Sequence, residues 1–271
     1  MRKVTLAMTC LVALALLASC KKDIQPTISI VGGSEYAGQD TEIYSGDQIA
    51  VGFNVTGENL TQIAISVEQN GTVLYTHDEA LANESAYFYA KTFTIDAIGT
   101  VTISGTVTDA KGNTATASYS IFCIEKPNAK FVGHYEGDAL ITGSYDVDLS
   151  NMDPIHEDIE NQPFAAFANI SAGDNPNEVI ASIKINDQTN TVKGIVNGNK
   201  VVFEAINDTY NMTYQGFTVP IDMTYNITGT LNNGMLDLEG DCKGIGDINL
   251  VFITGTIKLE GVVGGSLNKT E

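Results

Sequence analysis

The chain has no tryptophan, only three histidines and few basic side chains among its 271 residues. Its 14 lysines and arginines stand against 33 aspartates and glutamates, which gives a formal net charge of −19 at pH 7. Phosphate backbones and anionic lipid surfaces repel such a chain, so nucleic-acid binding is excluded. The missing tryptophan also removes the side chain with the largest stacking surface, which weakens the case for a flat glycan-binding platform.

Patterns that carry catalysis or bind metals are also scarce. His77, His134 and His156 lie in no HExxH, HxH or histidine–cysteine ligand pattern, and the chain has no GxSxG elbow. Carboxylate pairs are plentiful, but 33 acidic residues produce them by chance, and they indicate catalysis only at a known separation in a cleft. The sequence therefore predicts a protein that is not an enzyme, with no cofactor and no metal.

One long irregular segment is predicted from Ser150 to Pro163, containing Asp153, Glu157, Asp158 and Glu160. Loops of this length in a compact domain are functional or disordered. The acidic residues offer oxygen ligands for calcium, but they do not follow the spacing of a calcium-binding loop. A solvated acidic loop is the favoured interpretation.

The N-terminus carries the only long apolar run, from Val4 to Leu17, behind the basic pair Arg2 and Lys3. This order predicts a secretory signal peptide over residues 1–20, and the run is shorter than the roughly 20 apolar residues of a membrane-spanning helix. The ending Leu17-Ala18-Ser19-Cys20 resembles the lipobox of bacterial lipoproteins. The resemblance implies that Cys20 is lipidated and anchors the mature protein, with a plain signal peptide or a transmembrane helix as the alternatives.

Two cysteines remain beyond the signal peptide and the lipidation site. Cys123 and Cys242 each continue an alternating apolar pattern. Two cysteines in an exported protein could form a disulfide, but cysteine is among the residues most often buried. Buried free thiols are the favoured interpretation.

About 250 residues follow the signal peptide, more than one compact β core usually needs, so two domains are expected after a linker at residues 21–26. Alternation with a period of two residues dominates from Thr27 onward and predicts an all-β chain. The first half holds about seven short strands and an Asn70-Gly71 hairpin signal, a layout typical of an Ig-like β-sandwich over residues 27–125.

The stretch from Gly99 to Asp109, followed by Lys111-Gly112-Asn113-Thr114-Ala115, resembles the final hairpin of bacterial Ig-like and PKD-type domains. These domains serve as spacers or interaction modules on exported proteins. The resemblance therefore implies a first domain without an active site of its own.

A second domain is predicted over residues 130–271, after a boundary at Pro127. Hairpins joined by Asn-Gly turns favour an antiparallel up-and-down β-barrel, and a sandwich is the alternative. The opening Tyr135-Glu136-Gly137 and the repeated Thr-Gly-Thr strands resemble calycin-like, lipocalin-type barrels of Bacteroidetes lipoproteins.

These resemblances, with Lys21-Lys22-Asp23 after Cys20, imply an outer-membrane lipoprotein on the cell surface or the periplasmic face. The expected function is that of a non-enzymatic accessory protein that binds a glycan or another nutrient, beside an outer-membrane protein partner. A lipocalin-like carrier of a small apolar ligand and a structural or inhibitory interaction module are the alternatives.

Three tyrosines are the candidate ligand-binding residues. Tyr210 and Tyr214 lie four positions apart, so they share a face of any strand that contains both. Tyr225 lies on the next predicted strand. Together they could flank a ligand ring at a barrel mouth, and packing in the core or at the rim is the alternative.

Overall fold

The computed structural model describes residues 24–150, 152–185, 188–214, 216–249 and 253–270. The predicted signal peptide and the lipidation site Cys20 lie outside these ranges. The described chain consists of strands with one single-turn 3-10 helix, which confirms the all-β prediction. No helix in the described ranges has the length and apolarity to cross a membrane. Internal contacts divide the chain between Glu125 and Lys126 into two units, which are described separately below.

The first unit contains six strands. They are β1 (Thr27–Ile30), β2 (Glu42–Tyr44), β3 (Asp47–Gln69), β4 (Thr72–Ile95), β5 (Gly99–Asp109) and β6 (Thr114–Ile124). Strand β3 pairs antiparallel with β1, β4 and β5, while β6 pairs antiparallel with β5 and parallel with β2. The predicted Asn70-Gly71 hairpin turn joins β3 to β4, with positive φ angles of 49° and 81°.

Bends in β3 and β4 fold this sheet into two layers. Asn59 and Asn83 have positive φ angles of 53° and 58°, and the register of β3 shifts on both sides of Leu60. The first half of β3 therefore pairs with β1, and its second half pairs with β5. A Cβ added at Gly105 of β5 would lie 3.2 Å from the Phe53 ring on the opposite layer, so the layers pack face to face. This arrangement is compatible with the predicted Ig-like sandwich.

The second unit begins with a 3-10 turn (Ala129–Phe131) and continues as an antiparallel meander. Its strands are β7 (Gly133–Leu149), β8 (Ile155–Ala172), β9 (Glu178–Ile185), β10 (Gln188–Asn197), β11 (Lys200–Phe203), β12 (Ile206–Tyr214), β13 (Phe217–Asn232), β14 (Met235–Asn249) and β15 (Thr254–Thr270). Neighbours in sequence pair with one another except β11 and β12, which both pair with β13, and β15 returns to pair with β7 along its length.

The ring of strands closes at one end through β11. Lys200, Val201 and Val202 pair with Thr230, Gly229 and Thr228 of β13, which joins the β7–β11 side of the sheet to the β13–β15 side. Strands β11 and β12 therefore share one place in the barrel wall. Both lie beside β13, with β12 along its first part and β11 along its last part. Closure of this kind removes exposed strand edges at that end.

The other end of the barrel is open on one side because the β9–β10 hairpin is short. Strands β9 and β10 contain 8 and 10 residues, whereas β7 and β8 contain 17 and 18. Residues 155–163 of β8 therefore pair with β7 alone, and β12 pairs with β13 alone. The wall has a gap between these two segments.

The prediction of a loop from Ser150 to Pro163 is wrong for residues 155–163, which form the first half of a strand. Strand β8 begins at Ile155 and pairs with β7, placing Ile155 opposite Val147 and Ile159 opposite Gly143. The acidic residues suggested a solvated loop, but an extended strand with one free edge also exposes every second side chain to water. The pairing partner, which the local sequence does not reveal, decides the conformation.

Cys123 and Cys242 are buried free thiols, as the sequence predicted. Cys123 belongs to the first unit and Cys242 to the second. Burial raises the pKa of Cys242 to about 11, so this thiol stays protonated and unreactive at neutral pH.

Side chains fill the closed end of the barrel. A Cβ added at Gly229 would lie 2.8 Å from Leu236 and 3.0 Å from Val201, both of which are fully buried.

Asn128, only 1% exposed, donates from its side chain to the backbone oxygens of Glu178 (2.7 Å) and Asn175 (3.2 Å). These bonds tie the start of the second unit to the β8–β9 connection.

We expect the substitution Asn128→Ala to lower the free energy of unfolding of the second unit by about 1–3 kcal/mol, because it removes the two hydrogen bonds that this buried side chain donates. Urea unfolding of residues 21–271 measures this loss. Asn268→Ala removes an exposed asparagine of β15 and serves as the matched control. Equal stabilities of the two variants would contradict the structural role of Asn128.

Candidate ligand-binding cleft

The gap in the barrel wall opens into a cleft of about 310 Å³. Four strands and the free half of β8 surround it. The lining residues are Ile141 and Tyr145 of β7, Glu157, Asp158, Ile159, Glu160, Gln162 and Pro163 of β8, Tyr210 and Met212 of β12, Met223 and Tyr225 of β13, and Leu259 of β15. The cleft thus lies where the barrel interior meets solvent.

The floor of the cleft is apolar. Ile141, Met223 and Leu259 face the barrel interior on three strands and are at least nine-tenths buried. Alternation along each strand places them on the inner face, where they join the hydrophobic core of the second unit. An apolar part of a ligand that enters the cleft would therefore contact preformed hydrophobic surface.

Glu157 contributes a carboxylate on the inner side of the β8 wall. Tyr145 and Glu157 are direct partners across the β7–β8 ladder, and the tyrosine hydroxyl donates to Oε2 of Glu157 at 2.5 Å. Burial, and secondarily Glu157, raise the pKa of Tyr145 to about 12. The hydroxyl consequently remains a donor at neutral pH and fixes the position of the carboxylate.

The three tyrosines predicted from the sequence all lie on the inner side of this part of the barrel. Tyr210 and Tyr214 share the inward face of β12, and both are partly buried against the core. Tyr210 and Tyr225 line the cleft, whereas Tyr214 is not among the lining residues. Tyr225 is only 2% exposed, and burial strongly raises its pKa. The role of these tyrosines in ligand binding stays a prediction.

Several cleft residues were missed by the sequence analysis. Tyr145, Met212 and Met223 were not candidates, and Glu157 appeared only as part of the predicted acidic loop. Alternation in the segment Ser144-Tyr145-Asp146-Val147 places Tyr145 on the same face as the buried Val147, so its inward direction could have been inferred. The position of Glu157 beside it depends on the β7–β8 register.

Each of the three histidines contacts a carboxylate. His77 of the first unit contacts Glu79 at 3.0 Å. In the second unit, His134 contacts Glu136 at 2.7 Å at the start of β7. His156 of β8 contacts Asp146 near the end of β7 at 2.6 Å. In the ranges that the structure describes, no three His, Cys, Asp or Glu side chains form a group that could hold a metal ion.

No protein-family model and no curated protein matches the sequence. An engineered protein of known structure is 22% identical, with a TM-score of 0.29 over 37% of this chain and 20% of its own. A CARDB domain from Pyrococcus furiosus is 14% identical, with a TM-score of 0.26 over 38% and 88% of the two chains. A cycloalternan-degrading enzyme from Trueperella pyogenes is 10% identical, with a TM-score of 0.23 over 89% and 34%. None of these likenesses indicates an activity for this chain.

Asp146 raises the pKa of His156 above its ordinary value of 6.5. The pair therefore stabilises the fold fully below about pH 6.5, and this contribution is lost as the pH rises through the pKa of the folded protein. We expect Asp146→Asn to lower the pKa of His156 in an NMR titration. His134, whose pKa Glu136 raises, is the internal control and should not change. An unchanged pKa of His156 would show that the contact with Asp146 does not form in solution.

Proposed function

We propose that this protein is a non-enzymatic, membrane-anchored binding protein that holds a small ligand in the open end of its C-terminal barrel. The cleft carries this proposal. It combines an apolar floor with a few polar groups on a rigid β scaffold, as ligand-binding sites commonly do. Its volume of about 310 Å³ suits a small molecule or the terminal unit of a larger one.

A glycan or another polar nutrient fits the lining better than a fully apolar ligand does. Glu157 and Gln162 offer hydrogen-bonding groups, and Tyr210 offers a ring face. The filled interior at the closed end confines any ligand to the open half, which argues against a carrier that encloses an apolar molecule deep in its lumen.

The location of the protein is proposed from the sequence. The lipobox-like ending at Cys20 supports an outer-membrane lipoprotein, on the cell surface or the periplasmic face. The first unit would then act as a spacer or as the contact with an outer-membrane protein partner, and the second unit would carry recognition.

We expect the substitution Cys20→Ala to move the protein from the membrane fraction to the soluble fraction, because it removes the site of lipidation. Fractionation followed by immunoblotting measures the shift. Cys10→Ala, within the predicted signal peptide, is the matched control and should leave the protein membrane-bound. Membrane association of the Cys20→Ala variant after detergent-free washing would refute the lipoprotein assignment.

Ligand binding is tested with residues 21–271, which contain every residue that the structure describes. We expect at least one member of a panel of polysaccharides and oligosaccharides to bind. The double substitution Tyr210→Ala and Tyr214→Ala should weaken that binding roughly tenfold, since it removes aromatic contact surface. Isothermal titration calorimetry measures the affinity, and Tyr44→Ala in the first unit is the control.

The melting temperature of the double variant separates binding from stability. A small change together with weak binding supports a site at these tyrosines. A large drop would assign Tyr210 and Tyr214 to the core. Unchanged affinity in a stable double variant would place recognition elsewhere.

A further inference from the structure

We propose that the cleft selects organic cations, namely compact ligands in which a protonated or quaternary amine is attached to an apolar or aromatic body. This inference rests on the proposed binding function and assigns the cleft a cationic nutrient as its ligand in place of a neutral glycan. It follows from the charges that line the cleft, from the position of Glu157 and from the aromatic and thioether groups around it.

All charged side chains that line the cleft are carboxylates. Glu157, Asp158 and Glu160 lie along the free half of β8, and the described lining contains no lysine, arginine or histidine. An anionic ligand would be repelled at this wall, and a neutral ligand would gain no attraction from the charge of the wall. Glu157 shares the inward face of β8 with Ile155 and Ile159, so a cation that enters the cleft meets this carboxylate, while Asp158 and Glu160 add to the negative potential at the rim.

Glu157 is held in a position from which it can accept a bond from a ligand. Its Oε2 atom accepts the hydroxyl of Tyr145 at 2.5 Å, and within the described ranges its Oε1 atom has no hydrogen-bond partner. The tyrosine restricts the carboxylate before a ligand arrives, so little side-chain entropy remains to be lost on binding. An ammonium group that reaches Oε1 would form a charge-assisted contact.

The surroundings of Glu157 suit the remainder of such a ligand. Tyr145 and Tyr210 contribute aromatic rings, whose faces attract cations. Met212 and Met223 contribute polarizable thioethers that adapt to apolar and aromatic groups. A cation at the acidic wall could therefore place its apolar body on the floor of the cleft.

Protection of a strand edge is the competing explanation for Glu157. Residues 155–163 of β8 have one unpaired edge, and inward-pointing charges, bulges and proline commonly prevent such edges from joining other chains. Asn161, with a φ of 52°, and Pro163 already interrupt this edge. If protection were the only role of Glu157, its neutralisation would promote aggregation and leave ligand affinity unchanged.

The test titrates residues 21–271 with three aromatic probes of similar size at constant ionic strength. Benzyltrimethylammonium is the cation, benzyl alcohol the neutral compound and phenylacetate the anion. We expect saturable binding of the cation alone, measured by calorimetry. Glu157→Gln should weaken that binding about tenfold, because it removes the charge of the held carboxylate but keeps its shape.

Glu204→Gln is the matched control because it removes the same charge from an exposed glutamate of this unit that does not line the cleft. Its affinity for the cation should stay within about twofold of the original, since Glu204 lies outside the cleft and salt screens charges that do not contact the ligand. An equal loss of affinity for the cation in the two variants would show that the cation responds only to the overall negative charge of the chain. That result would overturn the inference. Sedimentation and melting temperature verify that Glu157→Gln remains folded and keeps the oligomeric state of the original protein.

The remaining outcomes separate the ligand class from the proposed function. Binding of a neutral saccharide that depends on Tyr210 and Tyr214, without binding of the cation, overturns this inference and leaves the binding function intact. Aggregation of Glu157→Gln with unchanged affinity for the cation assigns the residue to edge protection and also overturns it. Absence of binding by all three probes and by the saccharide panel contradicts both proposals.

Discussion

The pairing of backbone groups across strands determines where this protein can be rigid and where it can be open. In the second unit, β15 pairs with β7 and β11 pairs with β13, so one end of the barrel is a closed ring. The short β9–β10 hairpin does not extend that ring to the other end. The cleft and its apolar floor follow from this mismatch in strand length, as does the free edge of β8.

The same constraint acts differently in the first unit. Strands β3 and β4 are long enough to run through both layers, and they do so by bending at Asn59 and Asn83. Asparagine tolerates a positive φ better than most residues, so the two strands can bend here and resume their pairing in a shifted register beyond Leu60. Alternating side chains from both layers then fill the space between them, and this unit remains a regular scaffold.

The free edge of β8 and the cleft occur at the same place in the barrel wall. An edge strand must be kept from pairing with other chains, and a binding site must present functional groups to a ligand. The free half of β8 carries carboxylates, a bulge and a proline, which keep its edge from pairing with other chains. Because the strand borders an apolar floor, one of these carboxylates, Glu157, also lines the cleft, where Tyr145 holds it in place.

The sequence by itself determined the all-β class, the burial of Cys123 and Cys242 and the shared face of Tyr210 and Tyr214. Each of these follows from the two-residue period of a strand, which depends only on local backbone geometry. The tertiary structure decided that residues 155–163 form a strand, that the barrel wall is open beside them and that Tyr145 contacts Glu157. These features depend on which strands pair, in which register and over what length, and such long-range choices leave no periodic signal in the chain.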